Sequence, residues 1–269
     1  MAIDALQSAA TGLSALNTAL DVTANNLANV NTDGFKASRA NFQDLLYIEK
    51  VPPGVQNSIG DITPTGLFVG LGVKVSGTQL DFLQGPPKTT GRSLDVMIQG
   101  NGFFRVQVEQ SLGGGVAYTR AGNLAVNRDG ELCMANDQGR RLDPPIIIPD
   151  NAELISIGAD GTVSVTIPGQ VETQEIGTIE LSTFINPAGL SQDGENVYTE
   201  TSASGPPVSG NPGDNNIGTL RQGFLEGSNV DPTRELIEMI RIQRAFEMNS
   251  QSIRAADDTL RNVATLRRS

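Results

Sequence analysis

The chain has 269 residues, a formal net charge of −11, a pI near 4.5, no Trp, no His and a single Cys. The missing imidazole excludes serine or cysteine hydrolysis through a His base and excludes His-ligated metals, and the lone Cys133 excludes an intrachain disulfide. The acidic balance makes nucleic acid a poor partner.

A chain of this length holds two or more compact units and can bury a sizeable core. The surplus acid lies in the middle, because Pro232 to Ser269 carry seven Arg against five acids. The start, Met1-Ala2-Ile3-Asp4, has no basic residue and no continuous apolar run, so it does not read as a cleaved signal peptide. Nor is there an apolar run of about eighteen residues to span a bilayer, so no membrane insertion is expected.

From the start, Leu6, Leu13, Leu20 and Leu27 recur every seven residues, and Ala9, Leu16, Thr23 and Val30 form a second series offset by three. This is the a/d pattern of a coiled-coil helix. Between Ala2 and Val30 only Asp4 and Asp21 are charged, and the other non-seam positions are Ala, Ser, Thr, Asn and Gln. A helix facing water carries Lys, Glu and Arg there, so these neutral faces predict protein contact on most sides. The helix is expected to stop in the Asn-rich run Asn25, Asn26, Asn29 and Asn31, with Gly34 as the left-handed stop and Phe35 as an apolar anchor.

Phe42, Leu45, Leu46 and Tyr47 read as the end of a short helix. Val51 to Gly72 is broken by Pro52, Pro53, Gly54, Gly60, Pro64, Gly66 and Gly70, and is irregular or short-stranded. From Val73 the period becomes two. Strands are expected over Val73 to Leu80, within Leu94 to Val108, and over Val116–Thr119, Asn123–Val126, Ile146–Ile148, Thr162–Ile167, Ile176–Phe184 and Asn196–Glu200. Asp129-Gly130 and Asp160-Gly161 are hairpin cues. Gly100-Asn101-Gly102 lacks the third Gly and the following helix of a dinucleotide loop, and reads as a turn or bulge. Asp129, Glu131, Asp193 and Glu195 are the loop acids from which a catalytic pair could be drawn, solvated loop acids being the commoner case.

Order returns at Leu220 to Leu225. Asp231 is an N-cap with Pro232 at the first helical position, and no Gly or Pro interrupts Thr233 to Ser269, which allows a helix of about 50 Å at about 1.5 Å per residue. Met239, Phe246, Ile253 and Leu260 repeat every seven, with Ile242, Asn249, Ala256 and Val263 as a second series. The economical arrangement pairs the two terminal helices. Their uncovered outer faces would then pack on further copies, and a repeated contact that does not close gives a helical polymer.

Two of these stretches carry a resemblance. Ala24-Asn25-Asn26-Leu27-Ala28-Asn29-Val30-Asn31-Thr32-Asp33-Gly34-Phe35-Lys36 resembles the N-terminal signature of the rod and hook proteins of the bacterial flagellum. Glu226-Gly227-Ser228-Asn229-Val230-Asp231, then Glu235-Leu236, Met239-Ile240, Gln243-Arg244-Ala245-Phe246-Glu247 and Asn249-Ser250, is similar to the C-terminal one. Leu45-Leu46-Tyr47, Pro53-Gly54-Val55-Gln56 and Thr65-Gly66-Leu67-Phe68-Val69-Gly70-Leu71-Gly72 resemble the insert of the family's distal-rod members.

The resemblance implies an α+β fold, with paired long N- and C-terminal coiled-coil helices and an inserted, mainly antiparallel all-β domain. Residues 1–35 plus 230–269 would form a discontinuous helical inner domain. Residues 36–72, joined by 219–229, would be a distal-rod-specific connecting segment, and 73–218 a β-rich outer domain. It further implies a structural subunit that is no enzyme and needs no cofactor, exported without a cleaved signal peptide through the flagellar type III apparatus. In the periplasm it would polymerise into a straight hollow rod around an export channel, with Tyr47, Pro53, Gly54 and Gly66 in the rod-specific segment. Its partners would be itself, proximal-rod proteins, hook or hook-junction subunits and the bushing rings of outer membrane and peptidoglycan. The competing reading is a secreted adhesin or glycan-binding β domain whose terminal helices dimerise.

Overall fold

Two helices and a series of short antiparallel strands make up the chain, an α+β fold. The computed structural model describes residues 2–54, 56, 61–62, 64–168, 173–214 and 216–266, without side chains for 2–4 and 262–266. The chain divides into a helical unit of residues 1–28, 38–79 and 231–269, and a β unit of 29–37 and 80–230.

In the helical unit, α1 (Ala2–Ala28) lies against α2 (Pro232–Leu266). Asn26 meets Glu235 and Gly12 meets Asn249, so equal steps back along α1 and forward along α2 keep them in register, and the pair is antiparallel. The start of α2 is as expected: the Thr233 and Arg234 N–H groups donate to Asp231 Oδ1 at 2.9 and 3.3 Å, supplying two of the orphan donors of the first turn. Residues 267–269 at the far end, with Arg267 and Arg268, lie outside the described residues.

Three expectations are corrected here. α1 ends at Ala28, so Val30 falls in the turn that follows, and Gly34 is not the helix stop. Phe42 to Tyr47 form no helix: Ser38–Asp44 is a strand paired with Val73–Leu80, and Tyr47–Val51 pairs antiparallel with Leu67–Gly70. The run is too short to hold a helix against the cross-strand bonds that its backbone makes here. Ile146–Ile148 makes single ladder contacts, such as Ile148 N–H to Gly130 O at 2.7 Å, because Pro144, Pro145 and Pro149 beside it donate no N–H.

In the β unit, a six-stranded antiparallel sheet runs in the order Ser191–Gly194, Val197–Thr199, Val116–Thr119, Phe103–Gln107, Leu181–Thr183, Val208–Gly210. Leu154–Ile157, Thr162–Thr166 and Gln174–Thr178 form a three-stranded sheet, and Leu124–Val126 pairs with Leu132–Met134. Both Asp-Gly hairpins appear, with Gly130 and Gly161 at φ +80° and +86°. Val96, Ile98, Phe104, Val106, Leu124, Leu132, Val163, Val165 and Leu181 fill the main core. A second cluster stacks Phe103, Tyr118, Phe184 and Tyr198 edge to face, with Tyr118 and Phe184 centroids 4.7 Å apart.

Candidate assembly site

The two helices meet along small residues. Among the described side chains, Ala15, Ala19, Thr23 and Asn26 are buried on α1 and Ile242 on α2. A Cβ on Gly12 would lie 3.1 Å from Asn249 Nδ2, so small side chains let the helices approach closely here. The heptad residues Leu6, Leu13, Leu16, Leu20 and Leu27, with Met239, Phe246 and Ile253, are half-buried, flanking that stripe. Leu260 is exposed, and the Val263 side chain lies outside the described residues. Leu236, Ile237, Ile240 and Met248 lie open on α2, Met248 at 62 %. The Ala15 and Ala19 stripe was missed in the heptad reading, although its three-and-four spacing through Ser8, Thr11, Ala15, Ala19, Thr23 and Asn26 was available as a signal.

The hairpin of the helical unit is also open. Tyr47, Ile48, Val51, Leu67 and Phe68 are exposed, and Leu46 beside them is 83 % exposed. Exposed apolar side chains are thus concentrated on this hairpin. Pro53 and exposed Gly54, at φ +83°, turn the chain after the strand. A Cβ on Gly66 would come within 2.9 Å of Phe68, the Val51 carbonyl and Pro53.

The Asn-rich signature divides between the two units. Asn25 is exposed on the last turn of α1, whereas Asn26 receives the Ser38 N–H at 2.9 Å and donates to Ser38 O at 2.7 Å, pinning the first strand to α1. Asn29, exposed Asn31, Gly34 and Phe35 belong to the β unit. Asn29 Oδ1 accepts from Thr32 Oγ1 at 3.0 Å, and the Gly34 N–H donates to Glu226 O at 2.7 Å.

Next to this turn is a buried ion cluster. Lys36, 1 % exposed, donates to Glu226 Oε1 at 2.6 Å and to Leu83 O at 2.8 Å. Glu226 Oε1 also accepts the Gly85 N–H at 2.9 Å, and Arg120 Nη1 lies 3.7 Å from Oε2. Asn229 completes the clasp, accepting the Ala37 N–H and donating to Asp81 O, both at 2.7 Å. Residues 33–37, 81–85 and 226–229 are thereby tied together. Burial pushes the Lys36 ammonium below its ordinary range while Glu226 pulls it back, and burial also lowers Arg120. Lys36 and Glu226 stand in the stretches that carry the resemblance and Arg120 directly follows the expected strand Val116–Thr119, but sequence gives no sign that they meet.

Tyr198, packed beside Arg120, is pushed up to about 12 by burial, against the opposing pull of the guanidinium. In the unfolded chain the phenol titrates near 10, so between about pH 10 and 12 the unfolded state binds fewer protons. Stability of the β unit is therefore expected to fall as pH rises through that window. A Tyr198→Phe variant should show a shallower fall in its alkaline urea midpoints.

The loop acids do not gather. Glu131 pairs with Arg141 at 3.0 Å and Glu195 with Arg140 at 2.6 Å, while Asp193 accepts from Thr199 Oγ1. No metal-binding group of three acids, Cys or His occurs among the described residues, and none of their helices is long and apolar enough to cross a membrane. Cys133 is buried in its strand and its thiol is pushed up by burial, which disfavours the reactive thiolate.

Three family models match the chain: the flagella basal body rod protein over residues 6–36, the flagellar hook protein FlgE/F/G D1 domain over 97–165, and the flagellar basal body rod FlgEFG protein C-terminal over 221–266. A flagellar basal-body rod protein FlgG from Buchnera aphidicola subsp. Schizaphis graminum is 44 % identical over 95 % of this chain and 96 % of its own. This chain belongs to the flagellar basal-body rod protein family. The FlgG of Caulobacter vibrioides is 42 % identical over 98 % of this chain and all of its own, and that of Bacillus subtilis is 39 % identical over 98 % of each. The FlgF rod protein of Caulobacter vibrioides is 34 % identical over 85 % of this chain and 83 % of its own. The rod-family chain is thus a structural subunit of the flagellar basal body, and the adhesin reading is not favoured.

Proposed function

We propose that this chain is the distal-rod subunit, polymerising in the periplasm into a straight hollow shaft that carries torque from motor to hook. Its terminal helices form coiled-coil seams through Leu6, Leu13, Leu16, Leu20, Leu27, Met239, Ile242, Phe246, Ile253, Leu260 and Val263, and successive copies line a central export channel. The hairpin around Tyr47, Pro53, Gly54 and Gly66 packs between neighbouring copies. Export is by the flagellar type III apparatus without a cleaved leader. Proximal-rod proteins, hook or hook-junction subunits and the bushing rings are the flanking partners.

One observation carries this reading: in a single chain Leu236, Ile237, Ile240 and Met248 on α2 and Tyr47, Leu46 and Phe68 on the hairpin all lie open. At about 25 cal/mol per Å² of apolar surface, leaving two such faces in water is a cost that lateral packing of copies removes. Deleting residues 2–24 tests it, because the cut stops short of the turn that belongs to the β unit. Polymerisation should be lost while the β unit keeps its near-ultraviolet signal. Rods assembled from the truncated chain would refute the reading.

A further inference from the structure

Three neighbouring strands of the six-stranded sheet, Val116–Thr119, Phe103–Gln107 and Leu181–Thr183, come together at one pocket. Phe104 lies opposite Thr119 and Phe103 opposite Ser182, so this register brings Phe103, Arg120 and Phe184 to the same end of the sheet. The pocket there, about 310 Å³, is walled by these three residues together with Phe82 and Ile185, all of them in the β unit. That volume is at the lower end of the range for small-ligand sites. Phe103 stands edge to face with Phe82 at 5.4 Å and with Phe184 at 5.8 Å between centroids, so packing fixes the apolar wall. Ile185, 84 % exposed, stands at the mouth with exposed Asn101 and Asn216, and no acid is among the described residues of the wall.

Arg120 is the charged group of this wall and is 4 % exposed. Its Nη2 donates to Gly100 O at 2.8 Å, and its Cζ lies 5.5 Å from the Phe103 ring centroid. Nε and Nη1 have no hydrogen-bond partner among the described residues, the Glu226 Oε2 beside Nη1 being 3.7 Å away. Glu226 is also shared, since its Oε1 accepts from Lys36 and from the Gly85 N–H. Two buried cations thus have one carboxylate between them, and the cluster keeps one positive charge. Buried donors without acceptors are costly, and more so when charged. The wall that meets this charge offers aromatic rings and no anion.

We propose that the pocket binds a small organic carboxylate with an aromatic or branched apolar body. Its carboxylate accepts from the Arg120 guanidinium, and its body lies against Phe82, Phe103 and Phe184. The added negative charge brings the Lys36, Glu226 and Arg120 cluster to neutrality and supplies acceptors for donors that the fold leaves without them. A bare inorganic anion would leave the aromatic wall uncovered, and an uncharged apolar molecule would leave the guanidinium as it is. The carboxylate of a free acid and that of the last residue of a peptide share this chemistry. The site lies within the β unit and stands or falls separately from the rod reading.

Titrating the purified full chain with para-fluorobenzoate at constant ionic strength tests it, with the broadening of the ligand's fluorine resonance giving the dissociation constant. Saturable binding at about 1 mM is expected for a ligand of this size. The uncharged para-fluorobenzamide, nearly equal in shape, should bind at least about tenfold more weakly. Ile185→Asp should weaken the benzoate about tenfold and Ile185→Lys tighten it about threefold, with urea midpoints unchanged because the side chain is exposed. Arg120→Met should abolish binding, and the two Ile185 variants decide the matter if that chain does not fold. Acetyl-phenylalanine against acetyl-tetraalanyl-phenylalanine separates the sources: tighter binding of the longer acid assigns a peptide end, and equal binding assigns a free acid. An amide that binds as well as the acid, Ile185 variants of opposite charge that bind alike, or no saturation by about 20 mM overturns the site.

Discussion

Glu226→Gln is expected to destabilise the β unit by about 3–5 kcal/mol, because it leaves the Lys36 ammonium and the Arg120 guanidinium buried without a counter-charge. Glutamine can still accept from Gly85 and Lys36, so the lost quantity is charge and not hydrogen-bond geometry. Lys36→Met should cost less, about 1–3 kcal/mol, since Arg120 still faces Glu226 and Leu83 O keeps its bond from Asn229 Nδ2 at 3.2 Å. Urea unfolding read by the near-ultraviolet signal of Tyr118 and Tyr198, both buried, measures the ranking. The Gln variant also has a signature in pH. Its Lys36, already held below the ordinary lysine range by burial, loses the carboxylate that pulled it back, so the folded state sheds that proton before the unfolded state does. The unfolded state then binds more protons, and the variant's deficit should shrink as pH rises toward the ordinary lysine value. A Lys36→Met loss larger than the Glu226→Gln loss would contradict the clasp as described.

Gly34→Ala is expected to cost about 2–6 kcal/mol, the sum of backbone strain and a clash with backbone atoms. Gly34 sits at φ +75°, and a Cβ there would lie 2.8 Å from Ala121 N and 3.0 Å from Arg120 C. Backbone cannot rotate aside as a side-chain tip can. The turn must move, which pulls the Gly34 N–H from Glu226 O and drags Lys36 with it. Gly91→Ala is the control within the same unit, because Gly91 has φ +72° with nothing within 4 Å of its Cβ position, and should cost only about 1 kcal/mol. Equal losses for the two alanines would show that packing against residues 120–121 contributes nothing.

Much of the architecture was readable locally. Asp231-Pro232 starts a helix because the side chain and ring act within three residues, and Asp-Gly at 129–130 and 160–161 turns the chain because the glycine tolerates positive φ. The short apolar run at Phe42 to Tyr47 was not readable in this way. Its backbone bonds lead to residues 67–80, a partner that no window around it contains. Within α1, the leucine series was legible as an apolar face, but not that Ala15, Ala19, Thr23 and Asn26 would be the buried positions in the single chain. Small residues are covered only where a second helix comes near enough, and Ile242 and Asn249 do so from the other end of the sequence.

Two terminal helices, a turn-rich β insert and membership of the rod family followed from the amino-acid order alone, since propensity, capping and motif spacing act over a few residues. Only the tertiary structure decided that Lys36 is a buried ion and not a surface lysine. Its carboxylate stands 190 residues away, and desolvation together with its compensation depends on which distant segments surround the charge.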